Sequence, residues 1–407
     1  MPFRIALSGL NAATSDLNVT ANNIANSNTA GFKSSRTEFS DVFTASGLGS
    51  GGTSIGNGVR VAAVTQQFSQ GAIQFTNNNL DLAISGQGFF TLRDSTGLMY
   101  TRNGAYGVDR EGFIVNSANQ RLQVYPAITG SSGAFNTGTL ADLRLQTSQS
   151  APQATTSGEV VVNLPANTGA PAVGTFDPND PQSFNFTTSS AVYDSLGTQS
   201  TATFYFVKTA NPNEWQVGLT IDGTQVGGLS TLQFSDTGAL TSPATGDITF
   251  PAYTPTTGAA PLNITFDFAA ATQYGGQFAV SALNQDGFSS GRLTSIDISD
   301  VGVVFARFTN GRAIELGQVA LSNFPNSQGL RQVGDSSWAE TFASGDVIRG
   351  EAGSASFGLI QAGALEGSNV DLTQELVNMI TSQRTFQANA QMISTADQIT
   401  QTIINIR

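Results

Sequence analysis

Large apolar residues recur every seven positions at the front of the chain. Phe3, Leu10, Leu17 and Ile24 form the line, Ala6 and Ala13 fill the fourth place of each heptad, and Leu7 and Ala21 widen the stripe. A seven-residue apolar repeat lays one continuous seam along a helix, and such a seam needs a partner helix. A second stripe closes the chain. Leu376, Met379, Ile380, Phe386, Ala390, Ile393, Ile399, Ile403 and Ile406 follow one another mostly at steps of three and four. Asp371 with Gln374 three residues on is a helix start signal of the capping-box kind. No Gly or Pro interrupts residues 372 to 406, so the pattern predicts one helix of roughly 50 Å at 1.5 Å per residue. The off-stripe positions are mostly Asn, Gln, Ser and Thr, so such helices pack sideways without stripping water from ions.

Between the two stripes the period changes from helical to short strand-like runs broken by turn residues. Leu80–Ile84, Phe89–Leu92 and Gly112–Val115 are runs of this kind, with a hairpin turn at Asp109-Arg110-Glu111-Gly112. The same texture returns at Ser295–Ile298, Val301–Phe308 and Ala313–Leu321, where Asn310-Gly311 between apolar runs is a strong hairpin signal. The middle of the chain predicts strands at Val160–Asn163, Ser183–Thr187, Ser200–Lys208, Glu214–Ile221 and Asn263–Phe268. Stretches loaded with Thr, Pro, Gly and Ala connect them. Residues 34 to 68 are short in apolar runs and read as a connection, with a Gly/Ser/Asn loop from Gly47 to Gly58. The whole pattern predicts an α+β multidomain protein whose N- and C-terminal helices pair in a coiled-coil-like layer, with mostly-β regions nested between them.

Composition narrows the chemistry. The net charge is −12 and only 11% of the 407 residues are charged, which excludes the basic surface that nucleic acid demands. The acid is concentrated: between Leu145 and Gly291 ten Asp or Glu residues face one basic residue, Lys208, so this segment carries −9 of the −12. There is no Cys and no His, which removes thiolate chemistry, the commonest general base and the commonest metal ligand together. No cofactor or metal is expected. The credible catalytic alternative is a carboxylate pair, as in a secreted glycosidase, with Asp109/Glu111, Asp297/Asp300 and Asp81/Asp94 as candidates; each lies beside turn signals where Asp and Glu are common anyway. Gly47–Gly58 and Gly86-Gln87-Gly88 lack the context of a phosphate-binding loop. The N-terminus does not read as a signal peptide, and no segment approaches the roughly 20 apolar residues of a membrane span. A body rich in Gly, Thr, Ser and Asn, with only Lys33 and Lys208 as lysines, has the flavour of an extracellular β-protein.

One stretch is more specific. Asn22-Asn23-Ile24-Ala25-Asn26-Ser27-Asn28-Thr29-Ala30-Gly31-Phe32-Lys33, preceded by Leu7-Ser8-Gly9-Leu10-Asn11-Ala12, resembles the N-terminal signature of the bacterial flagellar axial proteins, the rod, hook and hook-associated family. Asn22, Asn23, Ile24, Ala25, Asn26, Gly31 and Phe32 carry the motif. Gly86–Phe90 and Gly104–Phe113 are similar to the family's inner β-domain. Ala191–Gly197 followed by Phe204–Lys208 resembles the outer domain of its hook members. The resemblance implies three regions: residues 1–71 with 363–407 as a terminal helical polymerisation domain and linker, 72–147 with 289–362 as an inner β-domain, and 148–288 as an outer acidic β-domain. It implies a flagellar hook subunit polymerising with itself into a curved tube that passes torque from rod to filament and encloses an export channel. The self-assembly seam would comprise Phe3, Leu10, Leu17, Ile24, Leu376, Ile380, Phe386, Ile393, Ile399 and Ile403. It also implies rod, hook-cap and hook–filament junction proteins as neighbours, type III export to the cell exterior without a cleaved signal, and neither nucleic-acid binding nor membrane insertion. A distal-rod or hook-associated protein is the nearest alternative.

Overall fold

A computed structural model describes residues 2–43, 56–128, 131, 133–145, 149–354 and 356–405. The chain divides into two compact units. One comprises Met1–Leu145, Ser295–Arg307 and Ala313–Arg407; the other comprises Gln146–Thr294 and Phe308–Arg312.

In the first unit the heptad-bearing front forms helix α1, Pro2–Ala25. The Asn-rich run then ends it by local hydrogen bonding: Asn26 Nδ2 donates to the Asn22 carbonyl at 3.0 Å, and Thr29 Oγ1 donates to Asn26 Oδ1 at 3.1 Å. Gly31 turns the chain with φ 69°, and a Cβ there would lie 2.4 Å from the backbone nitrogen of Asn103. Both facts demand glycine. The last helix, α2, runs Leu372–Asn405, about 50 Å at 1.5 Å per residue. Asp371 caps it, accepting from the Thr373 and Gln374 backbone N–H groups at 2.8 and 3.2 Å. The Gln374 side chain itself turns along the helix, its Nε2 donating to Asn378 Oδ1 at 3.1 Å.

The stretch read as a mere connection holds two strands, β1 (Ser35–Asp41) and β2 (Val59–Gln66), paired antiparallel with a bulge between Glu38 and Phe39. Their alternation is masked by Arg, Thr, Glu and Gln, and their support comes from α1, which packs on both; an isolated two-stranded ribbon is marginal in water. Most of the expected Gly47–Gly58 loop lies outside the described residues.

The β-body of this unit is one large sheet. Strands from before the acidic insert pair directly with strands from after it: Val124 with Val319, Phe90 with Leu321, and Tyr100 with Trp338. Two smaller ladders, Leu82–Ser85 with Leu359–Ala362 and Ile73–Phe75 with Ala364–Glu366, lead toward α2. Leu82, Ile84, Phe90, Leu92, Leu122, Val124, Val319 and Leu321 fill the core. The second unit has its own core between a four-stranded and a six-stranded sheet. Phe204 and Phe206 alternate inward from Gln199–Lys208, and Phe204 meets Phe266 edge-on at 4.7 Å. That alternation is what made the strand legible.

Candidate functional site, the paired terminal helices

α1 and α2 pack against each other antiparallel, and three contacts set their register. A Cβ on Gly9 would lie 2.6 Å from Asn389 Oδ1. Ser382 Oγ donates to Asp16 Oδ2. Asn23 faces Glu375, whose carboxyl pKa its side chain draws downward. Each rung is seven residues on from the last along α1 and seven back along α2, so the pair follows a heptad, but a small and polar one. Ala6, Ala13 and Thr20, interleaved with the rungs, are buried. Glycine in mid-helix costs about 1 kcal/mol relative to alanine; Gly9 is placed where the partner side chain leaves no room for a methyl group.

The expected apolar line lies one residue beyond this face. Phe3 is half exposed, and Leu10, Leu17 and Ile24 are half-buried. On α2, Phe386 and Ile393 lie four residues past Ser382 and Asn389, at the margin of the contact face, and are half-buried, whereas Leu376, Ile380 and Ile399 are exposed. Leu7, Val377 and Met392 are exposed as well. The Ile403 side chain lies outside the described residues. An open groove of about 540 Å³ runs beside the pair, lined by Ile5, Ala12 and Ala13 of α1 and by Phe39 and Val59 of the ribbon, with Thr385 from α2. Within one chain, then, small and polar groups hold the helices together, and large apolar side chains are left exposed or only half-buried beside them.

The motif residues serve the exit from α1. Asn22 and Ala25 are exposed, Ile24 and Asn26 are half-buried, and Asn23, Gly31 and Phe32 are buried. Asn23 exchanges two hydrogen bonds with the Ser35 backbone, at 2.8 and 2.9 Å, which anchors the start of β1 to the helix end. Burial pushes the Glu375 carboxyl up from its ordinary value; the Asn23 side chain works against this, and the charge of Asp16 adds to it.

A buried ionic cluster that sequence reasoning missed sits at the closed end of the pair. The Lys33 ammonium donates to Glu366 Oε1 at 2.6 Å and to the Ser69 carbonyl at 2.7 Å. Arg102 donates to Glu366 Oε2 at 3.0 Å and to the Gly86 carbonyl at 2.8 Å. The Gly71 N–H also donates to Glu366 Oε1, at 2.9 Å, and the Gly31 N–H to the Glu366 backbone carbonyl, at 2.8 Å. Lys33 and Glu366 side chains are fully buried. Burial holds the Lys33 amine below its usual value against the pull of Glu366. The available signal was scarcity: in a chain with two lysines, one directly follows the motif.

The carboxylate candidates do local work. Asp81 accepts from Thr76 Oγ1 at 2.8 Å and Asn78 Nδ2 at 2.9 Å, Asp94 closes a turn through Gly97 N–H at 3.1 Å, Asp109 accepts from Phe113 N–H at 2.7 Å, and Asp297 pairs with Arg307. No group of three or more Asp or Glu among the described residues is placed to hold a metal ion, and none of the described helices is long and apolar enough to cross a membrane.

Family models match in succession along the chain: Flagella basal body rod protein over residues 3–33, Flagellar hook protein FlgE/F/G D1 domain over 83–163, Flagellar basal body protein FlaE D2 domain over 163–288, and Flagellar basal body rod FlgEFG protein C-terminal over 361–406. The flagellar hook protein FlgE of Salmonella typhimurium is 40% identical over 415 residues, covering all of both chains. The chain belongs to the flagellar hook protein family. Hook proteins FlgE of Escherichia coli and Borreliella burgdorferi are 39% and 33% identical, covering 100% and 98% of each chain. The crystal structure of Helicobacter pylori flagellar hook protein FlgE2 superposes with a TM-score of 0.55 at 15% identity, over 72% of this chain and all of that one, a likeness of fold. End-to-end relatedness to hook proteins sets aside the distal-rod, hook-associated and glycosidase readings. The hook family is structural and not enzymatic.

Proposed function

We propose that this chain polymerises with copies of itself into the curved, flexible tube of the flagellar hook, and that its work there is mechanical. The observation that carries the reading is the uncovered apolar surface on a helix pair whose internal contacts are small and polar. Phe3, Leu7, Leu376, Val377, Ile380 and Ile399 are exposed in the single chain, and exposed apolar surface of this extent marks an interaction site. A second copy supplies the matching helices, with Leu10, Leu17, Phe386 and Ile393 flanking the contact. Head-to-tail contacts of this kind generate open helical assemblies.

In this reading the terminal helices form the innermost layer around an export channel, residues 72–147 with 289–362 a tube outside it, and the acidic residues 148–288 the outer surface. Bending requires neighbours to slide between packings of similar energy, and contacts poor in ion pairs do not lock one register. The chain reaches the cell exterior through the flagellar type III apparatus. It meets the rod, hook cap and hook–filament junction proteins at the ends of the tube, and it catalyses nothing. Electron microscopy of the purified full-length protein at high concentration tests the reading: tubes are expected, and a protein that stays monomeric at every concentration and salt overturns it.

A further inference from the structure

We infer that Lys33, Glu366 and Arg102 form a conformational lock that makes the exit of α1 and the lead-in to α2 dock together or not at all. Glu366 lies six residues before α2 and Lys33 lies eight after α1, and their side chains meet with no solvent exposure. Neither charge is tolerated in the interior alone, because removing one partner of a buried pair leaves an uncompensated charge. The lock has a second joint beside it. Asn369 Oδ1 accepts from the Ser34 N–H at 2.7 Å, and Asn369 Nδ2 donates to the Gln67 carbonyl at 2.7 Å. The bonds to Glu366 and Asn369 tie residues 366–369 to the segment that leaves α1, to the segment 67–71 that leaves β2 and to Arg102, while Lys33 to Ser69 and Arg102 to Gly86 join those anchoring segments to their own neighbours. Glu366 closes the strand that pairs with Ile73–Phe75, so the two joints fasten the exit of α1 and the lead-in to α2 to one fixed ladder, and the helix pair, whose own rungs are polar, closes from this end.

The chain carries its own reporter, since Lys33 and Lys208 are its only lysines. Lys208 is buried in the other unit, its ammonium donating to the carbonyls of Thr209, Asn211 and Glu214 at 3.1, 2.6 and 3.0 Å. Acylation of the full-length protein with an amine-reactive ester, read by peptide mass spectrometry, measures Lys33 against Lys208. In the wild type both label slowly once the protein is assembled. Glu366→Gln is expected to raise Lys33 labelling at least tenfold with Lys208 unchanged. Asn369→Ala, which touches no charge of the cluster, is expected to do the same, because freeing the α2 lead-in withdraws Glu366. Lys33 labelling at the wild-type rate in Asn369→Ala overturns the lock, as does fast labelling of wild-type Lys33 in dilute and assembled protein alike. If Lys208 labels faster too, the fold has been lost, and the milder Asn369→Ser is scored by the same two criteria.

Discussion

At the scale of single residues, position matters more than type. Gly31 holds a left-handed backbone and sits against the Asn103 backbone. A side chain in that conformation costs roughly 1–2 kcal/mol, and the neighbour is main chain that has nowhere to go. Gly31→Ala is therefore expected to lower the melting temperature of the first unit by several degrees, whereas Gly223→Ala, also left-handed but with open space around it, should cost less. Comparing the two by calorimetry separates the backbone term from the clash. Asp194 illustrates an electrostatic residue. Burial works to raise its carboxyl pKa, but hydrogen bonds from Thr257 Oγ1 and from the Thr198 and Leu196 N–H groups win and hold it below the usual carboxylate range. A carboxyl depressed on folding contributes stability that is present above its unfolded pKa of about 3.9 and is lost as pH falls through its folded value. Asp194→Asn should thus destabilise the second unit at pH 7 and flatten its loss of stability below about pH 4, measured by thermal unfolding across that range.

Among elements, the decisive one is the helix pair. Its internal face includes two carboxylates, Asp16 and Glu375, on adjacent rungs. Glu375 has a raised folded pKa, so the stability it contributes is fully present below its unfolded value of about 4.3 and lost as pH rises through the folded value. Pairing should strengthen on acidification across that window. Glu375→Gln is expected to hold the stronger pairing at neutral pH and to remove this dependence; amide exchange of α1 at two pH values reads it. The external face answers to a different perturbation. Leu17→Asp or Ile393→Asp places a charge where a neighbouring copy would bury it, so assembly should fail while the β-units retain their circular dichroism. Normal tubes from either variant would remove the stripes from the assembly mechanism.

For the whole molecule, the two units have separate cores. One is built from residues 82–145 and 304–360, the other from residues 160–271. The strands that flank the insert pair with each other in the first unit. Replacing residues 147 to 288 with a short Gly/Ser linker is therefore expected to leave the first unit folded and competent to form tubes. On the layering proposed above, the insert is the part whose spacing changes most when a tube bends, so those tubes should differ in shape and motility should become erratic. Electron microscopy and circular dichroism decide together: loss of both tubes and β-structure would make the insert a part of the first unit's folding.

Much of this was legible in the residues. The run from Leu372 onward without Gly or Pro announced one long helix, Glu214–Ile221 had the apolar alternation of a strand, and the Asn-rich motif marked both the end of α1 and the family. The signals there are local, since periodicity and turn chemistry act over a few residues. Three features were decided only by tertiary structure. The β1–β2 ribbon has too little apolar alternation to announce itself and exists because α1 covers it. Lys33 and Glu366 are 333 residues apart, and although a rare lysine beside the motif singles out one partner, nothing local names the other. The face on which α1 meets α2 is the third. Heptad spacing required a seam, but whether Leu10 and Leu17 or the adjacent Gly9 and Asp16 would meet the partner depended on close approach. Small residues let two helices come near enough for Ser382 to reach Asp16, and that proximity is a property of the folded pair which neither stripe contains alone.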